Sequence, residues 1–225
     1  MDKTRTLIRG CLLAVLAISA SSARSRAVAT ERIPAARVAW HAVGRAFLNP
    51  ANGTGFVVGY FSFLEGVPGP LFNGTSSEAT AFFTFRSDVF SLEPLPANGD
   101  VALVLVASGN LSLYFNSSPA GVWTNPDSFS SGELIATFSR HPGQLIQIGP
   151  ASYDTFSAGL ASSADFVFQG RIFNFSKLLP YGVTNTNVSS NTPLSGLTDF
   201  PVSFPFGSVA VAVGSTLSTL GRSVP

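Results

Sequence analysis

All 20 phenylalanines lie after position 46, in short runs with Val, Ile, Leu and Thr that Gly, Pro, Asn and Ser interrupt every few residues. Apolar runs of this length, broken by turn formers, are the pattern of β-strands joined by tight connections. Strands are expected at 37–48, 55–64, 78–91, 100–107, 111–116, 133–140, 144–149 and 151–157, with four more at 165–169, 171–175, 198–204 and 208–217. Leu111, Leu113 and Phe115 alternate with Ser112 and Tyr114, and Leu134, Ala136 and Phe138 stand against Thr137 and Ser139, so one face of each strand is buried. The run Val101 to Val106 does not alternate and is expected in a central strand covered on both faces. Turn chemistry at Asn98-Gly99, Ser108-Gly109 and Gln169-Gly170 supports hairpins. Helix is limited to an ambiguous stretch at 37–46 and a turn around Ser176 to Leu179 that Pro180 ends.

The fold class is therefore all-β, with very little helix. A mostly antiparallel two-sheet sandwich is the expected architecture and a closed β-barrel the alternative, since both bury alternate residues between frequent turns.

Before this β region, Lys3, Arg5 and Arg9 precede an apolar stretch from Gly10 to Ala20, and Ser21-Ser22-Ala23 supplies small residues for cleavage. That is the layout of a secretory signal peptide, and eleven apolar residues fall short of the roughly 20 that span a bilayer. The expected organisation is a signal peptide at 1–23, a flexible segment at 24–36 and a single all-β domain at 37–220, secreted to an extracellular or periplasmic location. No membrane span is expected. Cys11 is the only cysteine and lies in the leader, so packing without disulfides must hold the mature chain. Burying a Phe contributes roughly 1.5–3 kcal/mol, and the Phe set suffices for a substantial core.

Charged residues make up only 11% of the chain. Removing Lys3, Arg5, Arg9 and Asp2 with the leader leaves ten basic and eleven acidic side chains, with no basic stripe beyond Arg24, Arg26, Arg32 and Arg37. Nucleic acid is excluded as a partner on that ground. His41 and His141 are the only histidines, and without Cys they make no recognisable zinc set, so no metal and no cofactor are expected. Asn125-Pro126-Asp127-Ser128 reads as a turn and not as a calcium loop. No Gly-Xaa-Ser-Xaa-Gly elbow occurs, and no pair of carboxylates is marked out. The balance leans away from an enzyme.

Two functional readings remain. In the first, long connections at 65–77 and 116–132 present aromatic contacts to a glycan, surface polymer or partner protein, through Trp123 and Phe129 with Tyr114 or Tyr153 nearby. In the second, a barrel encloses an apolar cavity lined by Phe82, Phe85, Phe166, Phe168, Phe173 or Phe175. Arg86 stands at its mouth, and the barrel carries an apolar small molecule or acts as a cofactor-free isomerase or coupling protein. Arg86 and Asp88 share a strand face and are placed to pair. Sequons at Asn52, Asn73, Asn110 and Asn187 are expected to carry N-glycans in a eukaryotic host, and those at Asn116 and Asn174 are less suited. The segment Val213 to Arg222 resembles the Gly-Ser-Thr-Leu…Leu-Gly-Arg segment of plant dirigent proteins, exported and glycosylated β-barrels that steer radical coupling. The likeness covers about ten residues, the family's other motifs are missing, and no site residue is carried over from it.

Overall fold

The computed structural model describes residues 32–96, 99, 101–106 and 108–214. The expected signal peptide, most of the N-terminal segment and most of the dirigent-like stretch lie outside the described residues.

The strands are β1 (Val38–Asn49), β2 (Thr54–Leu64), β3 (Phe83–Ser87), β4 (Phe90–Pro94), β5 (Val101–Val106), β6 (Gly109–Phe115), β7 (Glu133–Arg140), β8 (Gly143–Ile148), β9 (Ala151–Ser163), β10 (Phe166–Phe168), β11 (Arg171–Phe173), β12 (Val183–Ser190), β13 (Leu194–Ser195) and β14 (Val202–Ala212). A 3-10 turn at Pro126–Ser130 and one helical turn, α1 (Phe175–Leu178), complete the elements. The ambiguous stretch at 37–46 is strand, and the two strands expected at 198–204 and 208–217 are one.

Neighbouring strands run β1, β14, β12, β9, β7, β6, β3, β2, and β1 pairs with β2 to close the ring. The protein is thus an eight-stranded antiparallel barrel, and the two-sheet sandwich is not formed. A sandwich keeps free sheet edges, whereas β1 uses both of its edges and so removes them.

Three of the staves are bent. The β3–β6 ladder sets Phe83 opposite Phe115 and Ser87 opposite Leu111. The β4–β5 ladder sets Leu92 opposite Val106, where the same register would place it if extended. The β6–β7 and β5–β8 ladders agree in the same way, with Gly109 opposite Arg140 and Val106 opposite Gly143. β3 with β4, β5 with β6 and β7 with β8 are therefore single long strands with a bend in mid-course. Ser108-Gly109 does not reverse the chain. At the first bend Asp88 Oδ2 accepts hydrogen bonds from the Asn110 backbone N–H at 3.0 Å and from its side-chain amide at 2.9 Å, so Asp88 does not pair with Arg86. At the third, Pro142 lacks an N–H to donate to a ladder. Counted this way, each stave lies beside the next one in the chain, an up-and-down meander.

β5 is hydrogen-bonded on both sides, by β4 and β8, as its central placement requires. Its outer face is only partly covered, however: Leu105 is exposed, whereas Val101 and Leu103 are half-buried.

The paired glycines Gly44 and Gly59 thin the wall where it needs thinning. A Cβ at Gly44 would meet Phe206 Cζ at 2.3 Å, and one at Gly59 would meet Phe85 Cζ at 2.5 Å, so two inward rings occupy the space that side chains would fill. The hairpin β10–β11 and α1, inserted between β9 and β12, fill one end of the barrel. Gln169 and Gly170 form its turn with φ of 49° and 73°, as Gln-Gly chemistry predicts. Phe166, Phe168, Phe173 and Phe175 are buried there: Phe166 stacks on Phe173 and Phe175, and Phe166, Phe168 and Phe175 make edge or tilted contacts with Phe83, Phe115 and Phe138. Aromatic pairs at such separations contribute about 0.5–1.5 kcal/mol beyond their buried area. This end is closed.

Candidate functional site: a half-polar cavity inside the barrel

Alternate residues of every stave point inward, and above the Phe floor they leave a cavity. Its volume is about 100 Å³. Toward the floor its lining is fully buried, by Trp40, Ala42 and Phe61; at the other end the lining residues Leu48, Leu92, Gln147 and Phe204 are partly or fully exposed. The cavity therefore opens at the end opposite the floor.

Its walls differ. β1, β2 and the β4–β5 side present Leu48, Val57, Phe90, Leu92 and Val106, whereas β9, β12 and β14 present Ser152, Asp154, Asn185, Asn187, Ser189 and Ser208. The polar wall is a directed chain of hydrogen bonds. Trp40 Nε1–H donates to Asn185 Oδ1 at 3.2 Å, and the Ser208 hydroxyl donates to the same oxygen at 2.8 Å. Asn185 Nδ2 donates to Asn187 Oδ1 at 2.8 Å, and Asn187 Nδ2 donates to Asp154 Oδ2 at 3.0 Å. An indole N–H can only donate and a carboxylate oxygen only accept, so the two ends fix the direction of both amides. Every link aims a donor toward Asp154, and bonds aligned in this way reinforce one another.

Two charged side chains line the cavity, Arg140 and Asp154. Arg140 is 4% exposed, and its guanidinium carbon lies 4.1 Å from the Phe156 ring centre and 5.1 Å from that of Phe90. Those ring faces supply cation–π attraction, but Nε has no hydrogen-bond partner. Asp154 likewise leaves Oδ1 buried without a partner. The described residues hold two ion pairs, Arg37 with Glu65 and Arg86 with Asp127, and neither uses this pair of charges. Burial pulls the Arg140 guanidinium below its usual range, against the opposing pull of Asp154. Burial also pushes the Asp154 carboxyl above the ordinary aspartate range, while Arg140 and the Asn187 amide draw it back.

The residues expected to act fall elsewhere. Arg86 is not at the mouth: it points out of the barrel, with its guanidinium 4.8 Å from the Phe56 ring centre and Nη1 2.8 Å from Asp127 Oδ1. Parity explains this, since Phe83 and Phe85 are the inward residues of β3. Of the six phenylalanines expected to line a cavity, Phe85 does so. Phe166, Phe168, Phe173 and Phe175 make the floor, and Phe82 packs on Phe168. Trp123 folds back onto the outer wall, 4.8 Å from Phe129 and 6.2 Å from Tyr60 between ring centres, with Arg45 4.8 Å over its ring. Phe129 is fully buried in that outer cluster with Phe47, Phe56 and Val58. Tyr114 stands opposite Thr84 beside the cluster, whereas Tyr153 is exposed on β9 between Ile146 and Val188. No joint aromatic platform forms from these four. Asn52, Asn73 and Asn110 are exposed, but Asn187 is a cavity residue whose amide is engaged by Asp154 and Asn185, which leaves a glycan no room.

Arg140, Asp154 and the Asn185–Asn187 pair were not anticipated. Period-two parity carried the signal: Arg140 falls on the face of Ala136 and Phe138, and Asp154 on that of Phe156. Groups of three or more metal-ligating side chains are absent among the described residues, and none of their helices is long and apolar enough to cross a membrane. An antiparallel meander barrel, stoppered at one end and carrying a buried cation and a half-buried acid in its cavity, defines the class of this protein. Comparison with known protein families, curated proteins and solved structures finds no match to the chain.

Proposed function

We propose that this barrel binds a small, largely apolar molecule with an oxygen-bearing head, placing the head against Arg140 and the apolar body along the Leu- and Phe-rich wall. The unpartnered guanidinium carries this reading. A buried charge without hydrogen-bond partners costs several kcal/mol, and a fold under no other demand dispenses with it. A concave, mainly apolar site with a few convergent polar groups is the usual form of a small-molecule pocket. The leader sequence supports a role outside the cytoplasm, where such a protein carries or sequesters its ligand.

The test is displacement of a fluorescent apolar probe, 1-anilinonaphthalene-8-sulfonate, followed by titration of C6 to C10 carboxylic acids, aldehydes and alcohols. Saturable binding of at least one series, lost in Arg140→Leu and kept in Arg86→Gln, supports the reading. Binding unaffected by Arg140→Leu, or none of any series, overturns it.

A further inference from the structure

The charge inventory of the cavity narrows the head group, and the following inference rests on the binding reading above. The cavity that Asp154 lines is also lined by Arg140 from β7, Asn185 and Asn187 from β12, Leu145 and Gln147 from β8, Ser208 from β14 and Ser152 from its own strand. Only Arg140 among them is charged. Asn187 occupies Oδ2, while Oδ1 is buried and bare. Beside it Gly143 supplies no side chain; a Cβ there would lie 3.5 Å from Oδ1. Arg140 and Asp154 thus line one cavity with no ion pair between them.

We propose that the head group is a carboxylate seated between Arg140 and Asp154, and that each ligand is taken up together with one proton, shared between its carboxylate and that of Asp154. The empty site is neutral, with one cation and one carboxylate. A second carboxylate alone would leave it net negative in a desolvated cavity, and like carboxylates sharing such a site cannot both ionise. One added proton restores neutrality, becomes an O–H donor from one carboxyl group to the other, and leaves Arg140 to donate to the ligand's remaining oxygen. No bond other than O–H forms or breaks. The raised affinity of Asp154 for a proton acts in the same direction.

Octanoate is the probe, with 1-octanol as its neutral counterpart, titrated calorimetrically at pH 7.5 in phosphate and in Tris, whose ionisation enthalpies differ. Uptake of about one proton per octanoate, with affinity falling about tenfold per pH unit above neutrality, is expected. In Asp154→Asn the amide needs no proton to donate, so proton uptake vanishes, the pH dependence flattens, and octanoate at pH 7.5 binds at least as tightly. Octanoate binding without proton uptake, or proton uptake that persists in Asp154→Asn, overturns the inference and leaves the binding reading standing. So does binding of 1-octanol with none of octanoate. Failure of both ligands, and of the probe itself, counts against the binding reading as well.

Discussion

Asn187 and Asp154 are direct cross-strand partners in the β9–β12 ladder, and their side chains repeat that pairing inside the barrel with a 3.0 Å hydrogen bond. The amide supports the ionised carboxylate, so its removal is informative. Asn187→Ala is expected to push the Asp154 carboxyl further up and to destabilise the fold by about 1–3 kcal/mol, because the Asn185 amide also loses its acceptor. Urea denaturation at pH 7, with the Asp154 carbonyl stretch followed by infrared difference spectroscopy, checks both.

The raised carboxyl of Asp154 makes stability depend on pH. A folded value above the unfolded one means that the folded state holds the proton more tightly. The contribution is full below about pH 3.9, the ordinary aspartate value, and is lost as pH rises through the raised folded value. Comparing urea midpoints of wild type and Asp154→Asn from pH 4 to pH 8, the wild type is expected to lose ground with rising pH relative to the variant. Parallel curves would remove Asp154 as the source.

On the proposed binding reading, Arg140 and Asp154 are kept at a cost in stability. Replacing buried charged groups together with apolar residues of similar volume is often neutral or stabilising by about 1–4 kcal/mol. The double variant Arg140→Met with Asp154→Leu is expected in that range, with ligand binding abolished. A large loss of stability would show that the pair is structural.

The wall at Gly44 and Gly59 tolerates no side chain. Gly59→Ala places a Cβ 2.2 Å from Val43 O and 2.5 Å from Phe85 Cζ, and overpacking of this kind costs about 1–3 kcal/mol. Gly207→Ala meets nothing within 4 Å and is expected to stay within about 0.5 kcal/mol of wild type in the same thermal denaturation series.

Floor and outer cluster separate in the same way. Phe166, 1% exposed and stacked on Phe173 and Phe175, is expected to cost about 3–5 kcal/mol on truncation to Ala. Breaking the Arg86–Asp127 pair with Arg86→Gln is expected to cost under about 1 kcal/mol, because the Asp127 side chain is 83% exposed.

Much of the architecture was readable from alternation and turn chemistry, as the β7 bounds and the Gln169-Gly170 hairpin show. Closure was not, because it depends on β1 pairing with both β2 and β14, and local pattern says nothing about so distant a partner. No strand is expected over β12, for an instructive reason: its inward residues Asn185, Asn187 and Ser189 are polar because they line the cavity. The wall that carries the site therefore looked like connecting chain. Site positions are where local rules are expected to fail. Leu134, counted with the inward residues of its strand, is exposed because a register shift at Leu113/Tyr114 turns it out and turns Ile135 in.

The phenylalanine stopper has a kinetic consequence. With one portal, a guest that enters head first departs tail first along the same track, and nothing can push it through from behind. If the proposed binding holds, its dwell time rests with the side chains at the rim, Leu48, Leu92 and Phe204, and enlarging or trimming them would adjust release without touching Arg140 or Asp154.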